Sequence, residues 1–201
     1  MTVGSEGVAG AGAGAGPDVI VLNGGSSSGK STLAAVLVDL LPGTWLRLTV
    51  DTLIEALPPG FDQVEGGLVL HPDGRVETGP EWRRVEQAWM RGIAGVARDV
   101  PVVVEDGFLS GPAAQERWRQ ALAGLRVLWV GVHCDPEVAL VRERARADRV
   151  VGMAAAQATL VHEGIDYDLE VDTARCTPRE AAMVVVAAVT VPIHGDRAGA
   201  E

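Results

Sequence analysis

Lysine is almost missing from this chain. Of its 17 basic side chains, 16 are arginine, and the single lysine is Lys30. Cysteine is scarce too. Cys134 and Cys176 are too few for a disulfide framework, and no CxxC or HExxH spacing is present, so a protein-ligated zinc is not expected. Aromatic residues make up 4% of the chain, although five of them are tryptophan. No apolar run reaches the roughly 18–20 residues of a membrane span; the longest, Ala181 to Ile193, is shorter and follows a capping signal. No basic region precedes an apolar stretch at the N-terminus, so a secretory signal is not expected and the cytoplasm is the expected location. The net charge of −10 argues against nucleic acid and anionic membrane as partners, because both repel an acidic surface.

What the chain does contain is enough for one domain. At 201 residues with 47% hydrophobic content it can bury a sizeable core. Residues 1–16 are Gly/Ala-rich and read as a flexible tail, 17–194 as the domain, and 195–201 as a frayed end. Within the domain, apolar runs alternate with amphipathic stretches. Val19-Ile-Val-Leu22, Trp45 to Val50, Pro101-Val-Val-Val104, Val127 to Val132 and Asp168 to Val171 read as strands. Helices are expected from Lys30 to Leu41, from Asp51 as N-cap to Leu57, from Gln115 to Leu122, from Asp135 to about Arg149, and after Thr177. Trp82, Val85, Trp89, Ile93 and Val96 share one helical face, and Leu68 to Glu77 reads as a small inserted hairpin. Strands alternating with helices imply an α/β fold, a parallel sheet covered on both faces that binds ligands at the carboxyl ends of its strands.

The chemistry gathers at those ends. Gly24-Gly-Ser-Ser-Ser-Gly-Lys-Ser31 satisfies GxxxxGK[ST] between an expected strand and an expected helix, the context that makes it a P-loop. Glycines let successive amides turn inward, and the helix N-terminus adds a partial positive charge beneath a phosphate. The phosphate-binding set is therefore Gly24, Gly25, Ser26, Ser27, Ser28, Gly29, Lys30, Ser31 and the adjoining Thr32, with ATP as the ligand. Lys30 supplies a mobile charge, and the Ser31 hydroxyl can ligate Mg²⁺. The one lysine of the chain stands at the one position of the motif that demands it.

Asp51, at the end of the second strand, can accept a proton from an attacking hydroxyl; its plain alternative is a helix cap. Glu105-Asp106 closes a buried run in the manner of a Walker B carboxylate, so Asp106 is the candidate Mg²⁺ ligand, with contact to the acceptor as the other reading. Arg142, Arg146 and Arg149, spaced by four and three, place three guanidinium groups on one helical face. As a lid near 140–155 they would close over polyphosphate, Arg142 and Arg149 binding it and Arg146 joining Lys30 in stabilising the phosphoryl group in transfer. A solvated face with Glu143 and Asp148 as partners is the plain reading. Trp45, Phe61, Trp82, Trp89 and Phe108 are candidates for an apolar acceptor pocket, or simply core. His162 and Tyr167 read as structural.

Six segments carry a more specific likeness: Val21 to Ser31, Val50-Asp-Thr-Leu-Ile54, Ala114-Gln-Glu-Arg-Trp118, Val127 to Val132, Asp148-Arg149 with Gly152-Met-Ala154, and Val161-His-Glu-Gly164. In this order the chain resembles chloramphenicol phosphotransferase over roughly residues 18–192. The resemblance implies a kinase fold with five parallel strands and transfer of phosphate from ATP to the primary hydroxyl of chloramphenicol. It also implies Asp51 as base and a lid bearing Arg142, Arg146 and Arg149. Phosphoryl transfer to another antibiotic, a nucleoside or a sugar is the neighbouring expectation, and a noncatalytic nucleotide-binding module is the third. The family pattern has two aspartates where this chain has Glu105-Asp106, and the stretch Pro58 to Val64 differs where an acceptor would bind.

Overall fold

Val19-Ile-Val-Leu22 offers water no polar side chain, and in the computed structural model it forms the middle strand of a sheet, β1 (Val19–Asn23), buried along its whole length. The structure describes residues 16–71, 75–145 and 152–190. After β1 come α1 (Lys30–Leu40), β2 (Leu46–Thr49), α2 (Val50–Glu55), the hairpin strands β3 (Leu68–Leu70) and β4 (Val76–Thr78), and α3 (Pro80–Ala97). Then follow β5 (Val102–Asp106), α4 (Pro112–Ala121), β6 (Val127–His133), α5 (Pro136–Arg144), α6 (Met153–Leu160), β7 (Leu169–Asp172) and α7 (Pro178–Thr190).

Five strands lie in the order β2-β5-β1-β6-β7, every pair parallel. The chain first winds to one side of β1 and then, after β5, crosses to the other. Asn23, Thr49 and Asp106 thus end together at the carboxyl edge, at the point where the winding reverses.

Alternation along each strand divides the core in two. Ile20 and Leu22 pack with Leu33 and Leu37 of α1 and Ala182 and Val185 of α7. Val19 and Val21 pack on the opposite face with Met90 and Ile93 of α3 and Trp118 of α4. Each such fully buried side chain is worth about 1.5–3 kcal/mol. A third cluster, Leu53, Phe61, Leu68 and Trp82, fastens the hairpin to α2 and α3.

Several boundaries differ from the sequence expectation. Thr49, not Asp51, caps α2, its Oγ1 accepting from Thr52 N–H at 3.1 Å. The strand ends one residue early, so Asp51 falls in the first helical turn and Thr49 takes the N-cap position. Val96 lies on the flank of α3 and is 38% exposed; the buried stripe runs through Trp82, Met90, Ile93, Ala94 and Ala97. Helix α5 stops at Arg144 instead of about Arg149, and Arg146 and Arg149 lie outside the described residues. Asp135 caps α5 as its Asp-Pro-Glu start requires, with Oδ1 accepting from Glu137 N–H at 2.8 Å. Thr177 and Glu180 exchange hydrogen bonds as a capping box for α7.

Candidate active site

The turn from Gly24 to Gly29 contains two residues with left-handed backbone. Ser27 has φ +58° and Gly29 φ +88°, left-handed values that alternate with right-handed ones and turn neighbouring amides toward a common centre. Gly24 has no room for a side chain, since a Cβ there would lie 2.5 Å from the Val132 carbonyl oxygen. At Gly25 it would press on the Gln157 backbone at 3.2 Å, because α6 lies against the loop. The Lys30 ammonium folds back over the turn, donating to Gly24 O at 2.5 Å and Gly25 O at 2.8 Å. Its charge therefore waits where phosphate oxygens would replace carbonyl oxygens.

The hydroxyl oxygens of Ser26, Ser27 and Ser28 are buried without a hydrogen-bond partner among the described residues. Three such orphans in a row, each costing roughly 1–3 kcal/mol if left unmatched, suit a polyanion with many acceptor oxygens. The loop thus fits the nucleotide phosphates that its motif implies. Two outside side chains strap it in place. Gln157 of α6 accepts from Ser26 N–H through Oε1 at 2.9 Å, and Thr173 donates from Oγ1 to Ser28 O at 2.6 Å.

Behind the loop lies a polar cluster. Asn23 donates to Val161 O at 2.7 Å and to the Tyr167 hydroxyl, and its Oδ1 accepts from Phe108 N–H at 2.8 Å. Tyr167 is in turn bonded to His162 Nδ1 at 2.7 Å, and His162 stacks on His133 with ring centres 3.9 Å apart. Burial, then the neighbouring His133, pushes His162 down to about 4, and burial pushes the Tyr167 phenol up to about 12. Both side chains thus belong to the polar cluster behind the loop.

A cavity of about 270 Å³ opens beside the loop, and Lys30, Ser31, Asp51 and Asp106 all line it. The expected base and the expected metal-side carboxylate therefore face one space. Asp106 is buried; its Oδ1 accepts from Gly107 N–H at 2.7 Å and its Oδ2 from Trp118 Nε1–H at 2.6 Å. Desolvation pushes its pKa up, opposed by those hydrogen bonds and by Lys30. Glu105 has a different fate. It pairs with Arg47 of β2 at 2.5 Å, which settles its charge within the sheet. Among the described residues no group of three His, Cys, Asp or Glu side chains could hold a metal by itself. Ser31 and Asp106 instead suit a magnesium ion held mainly by phosphate oxygens and water.

Arg142 stands apart from this cavity. It lines a second hollow of about 350 Å³ with Gly29, Thr32 and Thr173, on the other side of the loop. Its guanidinium donates to Thr173 O at 2.8 Å and Thr173 Oγ1 at 3.0 Å. The expected companion Glu143 is engaged by the start of α6. It is buried, and its two oxygens accept from Gly152 N–H at 2.8 Å and Ala154 N–H at 2.7 Å, capping α6.

Of the five aromatic candidates, Trp82 lines the cavity. Phe61 and Phe108 are core, Trp89 packs against core, and Trp45 lies over the α1 side with its indole N–H on Pro42 O. Sequence reasoning missed Glu86, Ser110, Arg117 and Gln157, all of which line the same cavity. Glu86 was legible in principle, four residues beyond Trp82 on one face of α3. Arg117 falls within the Ala114-Gln-Glu-Arg-Trp118 segment that carries the family likeness, though with no role assigned to it, and no local pattern marks Ser110 or Gln157.

Comparison with known proteins agrees with this geometry. A Mycobacterium tuberculosis protein named "Putative O-phosphotransferase Rv2636" is 31% identical over 179 residues, which cover 82% of this chain and 78% of the relative. Among solved structures, a sugar kinase from Janibacter aligns with TM-score 0.62 at 16% identity, covering 84% of this chain and 92% of its own. The tunicamycin resistance protein of Deinococcus radiodurans aligns with TM-score 0.60 at 22% identity, covering 85% and 94%. These likenesses place the sheet among P-loop kinase folds. A family model for chloramphenicol phosphotransferase-like proteins matches residues 17–190, and with the loop, Asp51 and the cavity between them, the chain belongs to that family.

Proposed function

We propose that this protein is an ATP-dependent O-phosphotransferase that moves the γ-phosphate to a hydroxyl of a small molecule, with chloramphenicol as the first acceptor to test. The observation that carries the reading is the shared cavity, in which Asp51 and the P-loop lysine face the same space. Family membership and the O-phosphotransferase name of the tuberculosis relative support it. Dependence on ATP favours the cytoplasm as its place of work.

In this reading the loop amides, the three serine hydroxyls and Lys30 bind and orient the phosphates. Arg142 serves the nucleotide from the opposite side of the loop, and Arg146 and Arg149 are proposed to join it. Ser31 and Asp106 would hold Mg²⁺, which would offset the negative charge of the phosphates. Asp51 takes the acceptor's hydroxyl proton. The acceptor oxygen then forms its bond to the γ-phosphorus as the bond to the bridging oxygen of the diphosphate breaks, and ADP leaves. Lys30 stabilises the charge of the phosphoryl group during transfer.

The test is mass spectrometry of chloramphenicol, other hydroxylated antibiotics, nucleosides and sugars after incubation with Mg-ATP. A gain of one phosphate on one of them is expected. Asp51→Asn should lower its turnover by roughly 10²–10⁴-fold, the usual worth of a general base. Wild-type turnover in that variant would remove Asp51 from the chemistry. The tunicamycin resistance protein justifies a place for other antibiotics in the panel.

A further inference from the structure

The cavity holds an ion pair that the phosphoryl-transfer chemistry leaves unused. Glu86 comes from α3 and Arg117 from α4, and their side chains are 14% and 16% exposed. Arg117 Nε donates to Glu86 Oε2 at 3.0 Å. Its Nη2 donates to Ser110 Oγ at 3.0 Å and its Nη1 to Ala113 O at 2.9 Å. All three guanidinium nitrogens are thus engaged by the protein itself.

The charge balance of the cavity gives this arrangement its meaning. Among the described residues that line it, the cations are Lys30 and Arg117, and the carboxylates are Asp51, Glu86, Glu105 and Asp106. Lys30 sits over the phosphate loop and Arg47 answers Glu105. Arg117 is therefore the cation that an acceptor would meet, and Glu86 cancels it. Ile54, Leu68, Val76 and Trp82, which line the same cavity, are apolar, and the hydroxyls of Thr49, Thr78 and Ser110 carry no charge to match an anion. Among the described residues that line the cavity, an acceptor carrying its own carboxylate would therefore meet Arg117 only as a partner already taken.

Resting on the phosphotransferase reading, we infer that Glu86 is a specificity-determining residue that excludes anionic acceptors by occupying Arg117. Without Glu86 the same guanidinium becomes a carboxylate-binding fork. Selectivity here comes from withholding a partner from the wrong ligand, a repulsive element as much as an attractive one.

Two probes of nearly the same shape test this. Both are primary alcohols, 4-(hydroxymethyl)benzamide and 4-(hydroxymethyl)benzoate, and they differ by one charge at pH 7.5. Calorimetric binding to the full chain should favour the amide in the wild type. In Glu86→Gln the benzoate-to-amide affinity ratio should rise tenfold or more, and adding Arg117→Met should return it to the wild-type value. Glu86→Ala is the second variant should the Gln form fail to fold, and circular dichroism melts report folding of each. A folded Glu86 variant whose ratio stays at the wild-type value overturns the assignment. So does a gain that survives Arg117→Met, because a mere strut between α3 and α4 would not couple probe charge to Arg117. Phosphorylation of either probe by Mg-ATP is followed separately. Absence of product in every variant speaks against phosphotransfer and leaves the affinity ratio to decide the role of Glu86.

Discussion

In the proposed reaction, Lys30 occupies a position where lysine and arginine are expected to differ in effect. Its ammonium reaches two carbonyls of its own loop, Gly24 O and Gly25 O. A planar guanidinium is too broad to fold into the same turn and would meet the phosphates with a different geometry. A chain that uses arginine 16 times elsewhere keeps lysine here for that reason. Lys30→Met keeps the length and loses the charge. It is expected to lower kcat/KM by roughly 10²–10³-fold, the scale of losing one preplaced electrostatic donor. Lys30→Arg should rescue little of it. A coupled ADP-release assay on the acceptor found by mass spectrometry reads both.

At the same scale, the loop residues were fully legible in the sequence, because a fixed spacing of glycine, lysine and serine has one physical use. Asp51 was legible as an acid at a strand end, yet its capping role was misread. The choice between Thr49 and Asp51 as cap turns on where the strand stops, and a one-residue boundary is not encoded in apolar periodicity. Arg117 stands in a segment that carries the family likeness, but its role was not legible. Its contacts are Glu86, 31 positions away, and Ser110 and Ala113 in the loop and first turn before it, so its site exists only once α3 and α4 pack.

Among the elements, α6 shows how a helix can depend on a distant side chain. Its sequence, Met-Ala-Ala-Ala-Gln-Ala-Thr-Leu, has no apolar stripe, and its N-cap position is Gly152, which has no side chain to offer. Glu143 of α5 supplies the missing acceptor to two backbone N–H groups. The sequence expectation of helix in this region therefore did not mark where α6 starts. Glu143→Ala removes both bonds and leaves a buried helix start unmatched. A loss of about 2–4 kcal/mol is expected, since hydrogen bonds to a charged group are worth about 1.5–3 kcal/mol each and do not add fully. Urea unfolding measures it. Nucleotide affinity should fall as well, because Gln157 on the same helix holds the Ser26 amide.

For the molecule as a whole, strand order was the least legible property. Five apolar runs announce a parallel sheet, but nothing in them says that β1 lies in the centre with β5 and β6 on either side. That order follows from packing and from the handedness of the crossovers. It also creates the buried polar cluster behind the loop, and with it a dependence of global stability on pH. His162 is held near 4 in the fold, below its ordinary value of 6.5. The unfolded chain therefore binds more protons between those values. This contribution to stability is present above pH 6.5 and is lost as pH falls toward 4. Urea midpoints should drop across that window, and His162→Gln should flatten the slope. Asp106 works in the opposite sense, because its raised pKa makes protonation easier in the fold and relieves a burial cost as pH falls. Comparison with the His162 variant separates the two.

The straps on the phosphate loop have a consequence for anyone who would borrow it. Val132 crowds Gly24, Gln157 grips Ser26, and Thr173 grips Ser28, so three segments far along the chain fix its curvature. A synthetic peptide copying residues 18–40, or the same stretch grafted onto an unrelated scaffold, would carry every letter of the motif and still lack the curvature that lets it grip an anion.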